Sequence, residues 1–284
     1  MIGLAGPHLC ICGAIFTTSP IVQRLTDYMW LAQSRHIDDA RALHIARVFW
    51  ALNRALHRLE DYYKHISMPA DPKSRVFPLA AQFTEGERTI EFDYVDVIGF
   101  SAPEASVVFR ARERTGARRE LAVKFAERYG EAAHRLLADV GLAPALLYCG
   151  DVWQSGPEKH GCGSVRMVVM EHINGKSAGE VFGDKKLPAD AGAAVRRAIG
   201  LLHSHTPPLV HGDMRKPNIV IADGTVDGDT SFEGRVKIVD FDWAGVQGEV
   251  RYPLNLSKIR WAEGVRDYAL ITADHDKEMV ERLV

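Results

Sequence analysis

Cysteine is scarce in this chain: four in 284 residues, Cys10, Cys12, Cys149 and Cys162. No C-x-x-C pair occurs, and Cys10-Ile11-Cys12 is too tight for an easy local disulfide. This argues against a zinc site and a disulfide-stapled fold, and for buried reduced thiols in a cytoplasmic or nuclear protein. Long apolar runs are missing too. The longest near the start, Leu9 to Phe16, is far too short to span a bilayer and has no cationic segment before it. Neither a membrane partner nor a signal peptide is expected. Nor does one charge dominate: a net charge of −2 gives no electrostatic case for nucleic acid or an anionic membrane. The basic runs Arg110-Ala111-Arg112-Glu113-Arg114 and Arg118-Arg119 are short and interrupted, and read as a solvated hairpin tip. Internal repeats and low-complexity tracts are absent as well.

What is present is an ordinary globular composition, 46% apolar and 25% charged, with length for a real core in one large domain or two smaller ones. Residues 1–75 differ from the rest. Ala42, Ile45, Phe49, Leu52, Leu56, Leu59, Tyr63 and Ile66 recur at steps of three and four. That spacing predicts a helix of about eight turns from near Asp38 to Ile66. Arg47, Arg54, Arg58, Glu60 and Lys64 lie on its other face, and Asp38 and Asp39 sit in the first turn, where negative charge suits the helix dipole. The heptad-like stripe permits self-association through residues 38–66; packing on its own domain is the favoured reading. An earlier helix is expected over Ile21 to Gln33, and a linker over Pro69 to Pro78.

From Thr89 the pattern shifts to short strands: Thr89–Val97, Ser106–Arg112 and Glu120–Phe125. A helix follows over Glu131 to Asp139, then a strand over Val165–Met170 and a helix over Ala189 to Ser204. Strands Asn218–Ala222 and Arg235–Val239 flank an acidic, Gly-rich turn. This order suits an α+β fold of two lobes around a cleft rather than a βαβ repeat.

Within the second half, His211-Gly212-Asp213 is followed five residues past the Asp by Asn218, and then by Asp240-Phe241-Asp242. An Asp facing an acceptor hydroxyl, with an Asn and a second Asp to hold Mg²⁺ against nucleotide phosphates, is a set of groups that phosphoryl transfer requires. Such chemistry depends on positioning, and Pro217 restricts the loop while the apolar strand Val236 to Val239 anchors Asp240.

Taken in order, Leu201-Leu202-His203-Ser204-His205, His211-Gly212-Asp213, Asn218 and Asp240-Phe241-Asp242 resemble the protein-kinase-like superfamily over roughly residues 90–284. His-Gly-Asp is similar to the aminoglycoside and choline phosphotransferase branch. Asp240-Phe241-Asp242-Trp243-Ala244-Gly245 with Arg251-Tyr252-Pro253 looks more like a fungal-type protein-kinase-like group. The resemblance implies a bilobal fold, with an N-lobe over about 89–170 and a truncated C-lobe over about 171–284. Residues 1–75 form an N-terminal helical extension that completes the fold; residues 76–284 form the kinase-like domain.

The same resemblance implies ATP and Mg²⁺ as cofactors and assigns the site. Asp213 is the acceptor-facing Asp, and Arg215 or Lys216 meets the transferring phosphate. Asn218 and Asp240 are metal ligands, and Asp242 is either a further ligand or a cap for the next turn. Lys124 in Leu121-Ala122-Val123-Lys124 touches the α- and β-phosphates, and Glu131 is its expected ion-pair partner. The backbone of Glu171 and of Ile173 or His172 meets the adenine edge. Gly99 opens the phosphate loop Gly99 to Ser106, which has one glycine and no G-x-G-x-x-G. Phe241, Trp243, Tyr252 and Trp261 are read as core. The implied activity is phosphorylation of a hydroxyl, Ser/Thr on protein. Two alternatives stay open: a small hydroxyl substrate, and a catalytically weak binding scaffold.

Overall fold

The computed structural model describes residues 2–16, 20–32, 39–65, 77–98, 107–152, 165–224, 231–257 and 261–284. They fall into two compact units, Met1–Pro78 and Leu79–Val284.

In the first unit β1 (Ile2–Ala5) and β2 (His8–Phe16) form a hairpin across Gly6-Pro7, where Gly6 takes φ 58°. β2 also pairs antiparallel with β3 (Pro20–Arg24) and β4 (Met29–Trp30). The helix expected over Ile21 to Gln33 is therefore replaced by two strands. Its short apolar segments satisfy their backbone groups against the long edge of β2, and the extension is a mixed unit rather than a helical one. α1 (Asp39–His65) matches the helix expected over 38–66, as far as the described residues reach. Its Val48 and Leu52 pack on buried Leu9, Ile11 and Met29. Phe49, Leu56, Leu59 and Tyr63, further along the same stripe, are 40–66% exposed. Of the linker expected over 69–78, only its last two residues are described.

The second unit opens with a six-stranded antiparallel sheet. In sequence its strands are β5 (Gln82–Glu85), β6 (Arg88–Ile98), β7 (Val108–Glu113) and β8 (Glu120–Ala126). Helix α2 (Glu131–Asp139) precedes β9 (Leu146–Asp151) and β10 (Arg166–Glu171), and the spatial order is β5-β6-β7-β8-β10-β9. β8 is central, and Leu121, Ala122, Val123 and Lys124 are all buried along it. Phe83, Phe92, Tyr94 and Phe109 form an aromatic row with centroids 5.2–6.2 Å apart, tilted between the first two and edge-on thereafter. The basic run lies on β7 and is paired: Arg110 with Asp96 at 2.6 Å, Arg112 with Glu120, and Arg114 with Glu91 and Asp93. These exposed pairs stabilise little.

Beyond the sheet come β11 (Gly175–Ser177), α3 (Ala178–Phe182), α4 (Ala189–Ser204), β12 (Leu209–Val210), β13 (Ile219–Ala222), β14 (Val236–Ile238), β15 (Gly245–Val246) and α5 (Ala273–Leu283). β11, β13 and β14 form one small sheet, and β12 pairs with β15. The main core joins α4 (Val195, Ile199, Leu202), α5 (Met279, Val280) and the β13–β14 hairpin (Ile219, Ile221, Val236, Ile238). The packing of one helix against another and against a hairpin, apart from the large antiparallel sheet, is an α+β arrangement. Among the described residues, no helix is long and apolar enough to cross a membrane.

Leu202 is fully buried, and Leu56 on α1 is half exposed. Leu202→Ala should therefore cost about 2–5 kcal/mol in urea denaturation of the full chain. Leu56→Ala should cost about 0.5 kcal/mol or less.

Candidate functional site

The segment His211–Asp213 leaves β12 through Gly212 at φ 83°, where an added Cβ would lie 2.8 Å from Ile271 Cδ1. Conformation and space both call for glycine there. Asp276 on α5 is fully buried, and its two carboxylate oxygens accept from the backbone N–H of Gly212 and of His211, each at 2.8 Å. His203 Nε2 donates to the same carboxylate at 3.2 Å. The first turn of α5 thus grips the loop by its backbone and leaves the loop's side chains free to face elsewhere. His211 is itself locked. Its Nδ1 accepts from the Asp213 N–H at 3.2 Å, so Nε2 carries the proton and donates to Val239 O at 3.2 Å.

Asp213 is nearly buried, and Arg215 holds it bidentately, with Nη2 at 2.6 Å from Oδ2. Asn218 Nδ2 donates to Asp213 Oδ2 at 2.7 Å and to Asp213 O at 2.8 Å. Asn218 closes a 3-10 turn, Lys216–Asn218, with Pro217 in its middle. Its carbonyl accepts from Val239 N–H at 3.0 Å. Val239 is therefore tied to both ends of the His211–Asn218 loop, and the next residue is Asp240.

Asp240 adopts φ 67°, a left-handed conformation that few non-glycine residues occupy and that clusters at functional sites. Lys124 reaches it across 116 residues of sequence: Nζ lies 2.8 Å from Asp240 Oδ1 and 2.8 Å from Asp242 Oδ1, with the lysine side chain 3% exposed. Burial disfavours the charged forms of Lys124 and Asp240. The attraction between them outweighs it, so the lysine is held above its ordinary pKa and Asp240 below its own. Phe241, between the two aspartates, is buried. It stacks on His134 of α2 at 4.5 Å and 7° and touches His211 at 5.2 Å. His134 Nε2 faces Pro144 O at 2.8 Å and so donates; its Nδ1 accepts from Tyr129 Oη at 2.6 Å. Burial pushes its pKa down to about 4. α2 is pinned to the same segment at its start: Gly130 N–H donates to Phe241 O at 2.8 Å, and a Cβ on Gly130 would lie 2.6 Å from Ala244 Cβ.

The structure brings Lys124, Asp213, Arg215, Asn218, Asp240 and Asp242 into one connected group. It leaves Glu131, Lys216, Glu171 and Ile173 outside that group. The Glu131 carboxylate goes to Arg135 and Arg166, each at 3.0 Å, so the Lys124–Glu131 pair is replaced by Lys124–Asp240/Asp242. A guanidinium on each oxygen outcompetes a lysine that already has two carboxylates. Lys216 Nζ turns away to the carbonyls of Gly183 (2.7 Å) and Lys185 (2.5 Å) at the end of α3, whereas Arg215 lies against Asp213. At the end of β10, the N–H groups of Glu171 and His172 are taken by Ala145 O and Glu120 O, and Ile173 follows as a half-buried residue. Gly99 and its loop lie outside the described residues. Of the aromatics read as core, Phe241 and Tyr252 are buried, whereas Trp243 and Trp261 are part-exposed and Trp261 carries the Arg215 guanidinium 5.0 Å over its ring.

Asn218, Asp240 and Asp242 offer oxygen donors, which suit a hard cation such as Mg²⁺, and the Lys124 ammonium already shows that the two carboxylates accept a positive charge between them. Among the described residues no three His, Cys, Asp or Glu side chains are grouped to hold a metal by themselves.

No protein-family model matches the chain, and no curated protein does. Among solved structures it is similar to the Cydia pomonella Granulovirus kinase PK-1, at 11% identity and a TM-score of 0.39. The match covers 55% of this chain and 53% of that one, so the chain spans about half of its length. A likeness this distant assigns no residue a role.

Sequence reading missed Asp276, His134 and the Arg215–Trp261 contact. For Asp276 a signal existed: Thr272 caps α5 through a capping box with His275, and a Thr-x-x-His start is weaker than the usual Thr-x-x-Glu. His134 and Trp261 carried none, because the ring partner of each, Phe241 and Arg215, lies far along the chain.

Asp276→Ala strands two buried N–H groups and should cost about 3 kcal/mol in urea denaturation. Asp274→Ala, on the exposed side of the same turn, should cost less than about 1 kcal/mol. His134 also sets a pH dependence. Its folded pKa is depressed to about 4 from 6.5. Its neutral form therefore contributes fully above pH 6.5, and stability falls by about 3 kcal/mol between there and about pH 4 as the unfolded state takes up the proton. His134→Gln should flatten that part of the stability–pH profile.

Proposed function

We propose that Leu79–Val284 is an ATP- and Mg²⁺-dependent phosphotransferase of the protein-kinase-like fold, with lobes over about 89–170 and 171–284, that phosphorylates Ser or Thr on a protein. The observation that carries this is the convergence of Lys124, Asp213, Asn218 and Asp240 through direct hydrogen bonds and one shared residue, Val239. A buried cation, an acceptor-facing carboxylate, and an amide and carboxylate for metal are the parts that phosphoryl transfer uses.

In this reading Asn218 and Asp240 hold Mg²⁺, which supplies charge neutralisation on the phosphates when bound. Lys124 binds the α- and β-phosphate oxygens. Asp213 orients the acceptor hydroxyl and accepts its proton, and Arg215, already beside it, faces the charge of the transferring group. The Trp261 ring lies beneath the guanidinium of Arg215, 5.0 Å from its centre, and attracts its charge. A second reading, a binding scaffold without turnover, is supported by one feature: both oxygens of Asp213 are occupied by Arg215 and Asn218. An acceptor must displace one of them.

A thermal-shift assay tests nucleotide binding. Mg-ATP at 100 times its Kd should add about 2.7 kcal/mol of stability, and Asp240→Asn should abolish the shift. No shift in the wild type would sink the proposal. If ATP binds, ATP consumption lost in Asp213→Ala identifies an enzyme, and binding without consumption identifies the scaffold. Phosphate appearing on a protein acceptor rather than on an aminoglycoside or choline assigns the substrate class.

A further inference from the structure

Lys124 is a buried ammonium with two anions, and those anions have different fates if the site loads as proposed. Asp240 is the carboxylate that a divalent cation would take. Once it does, Lys124 needs another counter-charge, because an ammonium left alone in a buried position is strongly destabilising. Glu131 does not serve, since both its oxygens are engaged by Arg135 and Arg166. Asp242 does. Its Oδ1 lies 2.8 Å from Lys124 Nζ, at the same distance as Asp240, and its side chain is 19% exposed against 40% for Asp240.

The backbone explains why one segment presents both groups. Phe241 is fixed between His134 and His211, and its carbonyl accepts from Gly130 N–H and Ala244 N–H, at 2.8 and 3.2 Å. With the middle residue pinned into the core, its two neighbours emerge on the side facing β8. We propose that Asp242 is the positioning residue for Lys124: it takes the part that a carboxylate on α2 would otherwise play, and it keeps the lysine in place while Asp240 turns to the metal. This rests on the phosphotransferase reading only for the metal step; the Lys124–Asp242 pairing stands apart from it. Lys124 is then paired directly with the Asp240–Asp242 segment, and it meets α2 only through the contacts of Phe241 with His134 and Gly130.

A double-mutant cycle on the full chain tests this, read as thermal midpoints with and without saturating MgCl₂. Asp242→Asn should lower the midpoint by about 5–10 °C in the wild type, and by far less in a Lys124→Met background. Glu131→Gln should cost the same in both backgrounds. Asp242→Glu, which keeps the charge, should recover the midpoint and also the apparent affinity for Mg-ATP that Asp242→Asn lowers roughly tenfold. Should Asp242→Asn fail to fold, recovery of folding in Lys124→Met/Asp242→Asn is the expected result. An equal cost of Asp242→Asn in both backgrounds, a double variant that also fails to fold, or coupling that appears at Glu131 instead would overturn the assignment. With MgCl₂ the coupling of Lys124 to Asp240 should vanish while that to Asp242 persists. If Mg²⁺ leaves the Asp240 coupling unchanged, the metal reading fails and the Asp242 pairing is still decided by the cycle.

Discussion

A lysine ammonium cannot be taken out of water without anions beside it, and the arrangement around Lys124 follows from that constraint. Its position on the central strand of the sheet, covered on both faces, removes solvent. Two carboxylates must then come to it from elsewhere in the chain, and they come from the segment after β14. Bringing them there requires Asp240 in a left-handed conformation, and that conformation persists because its neighbours leave no alternative. Val239 is held by His211 and Asn218 on one side, and Phe241 is clamped by two imidazoles on the other. The strain of one residue is distributed over a rigid surround.

The loop bearing Asp213 is built on a different economy. Its shape is imposed through main-chain amides by Asp276, a residue near the far end of the sequence. Asn218 adds one more main-chain hold from within the loop, through its Nδ2 to Asp213 O. Arg215 and Asn218 also fix the Asp213 carboxylate directly, which favours a single orientation and leaves a barrier to whatever must approach it.

Much of this was readable in advance, and the boundary between what was and was not is physical. α2 and α4 fall where apolar periodicity put them, because amphipathic helices advertise themselves locally. The strands of the large sheet that combine β-branched and aromatic residues were equally visible, whereas β9, interrupted by Gly150, and the four-residue β5 were not. The segment over Ile21 to Gln33 misled because its apolar residues are few enough to fit either period, and the neighbouring edge of β2 decided for strands. Within the site, spacing identified Asp213, Asn218 and Asp240 as a set. Spacing could not show that Lys124 would choose Asp242 over Glu131, because that choice depends on where Arg135 and Arg166 sit.

The close approach of Gly130 to Ala244 has an evolutionary consequence. The two residues lie more than a hundred positions apart, yet a methyl group added to one would overlap the methyl already on the other. Gly130 cannot take any side chain while the two backbones stay this close, because a Cβ there would also lie 2.6 Å from the carbonyl oxygen and 2.7 Å from the carbonyl carbon of Ala244. Among relatives that retain this packing, glycine should persist at the first position whatever residue stands at the second. That glycine would then mark the seam between α2 and the Asp240–Ala244 segment in chains too divergent to align by their other residues.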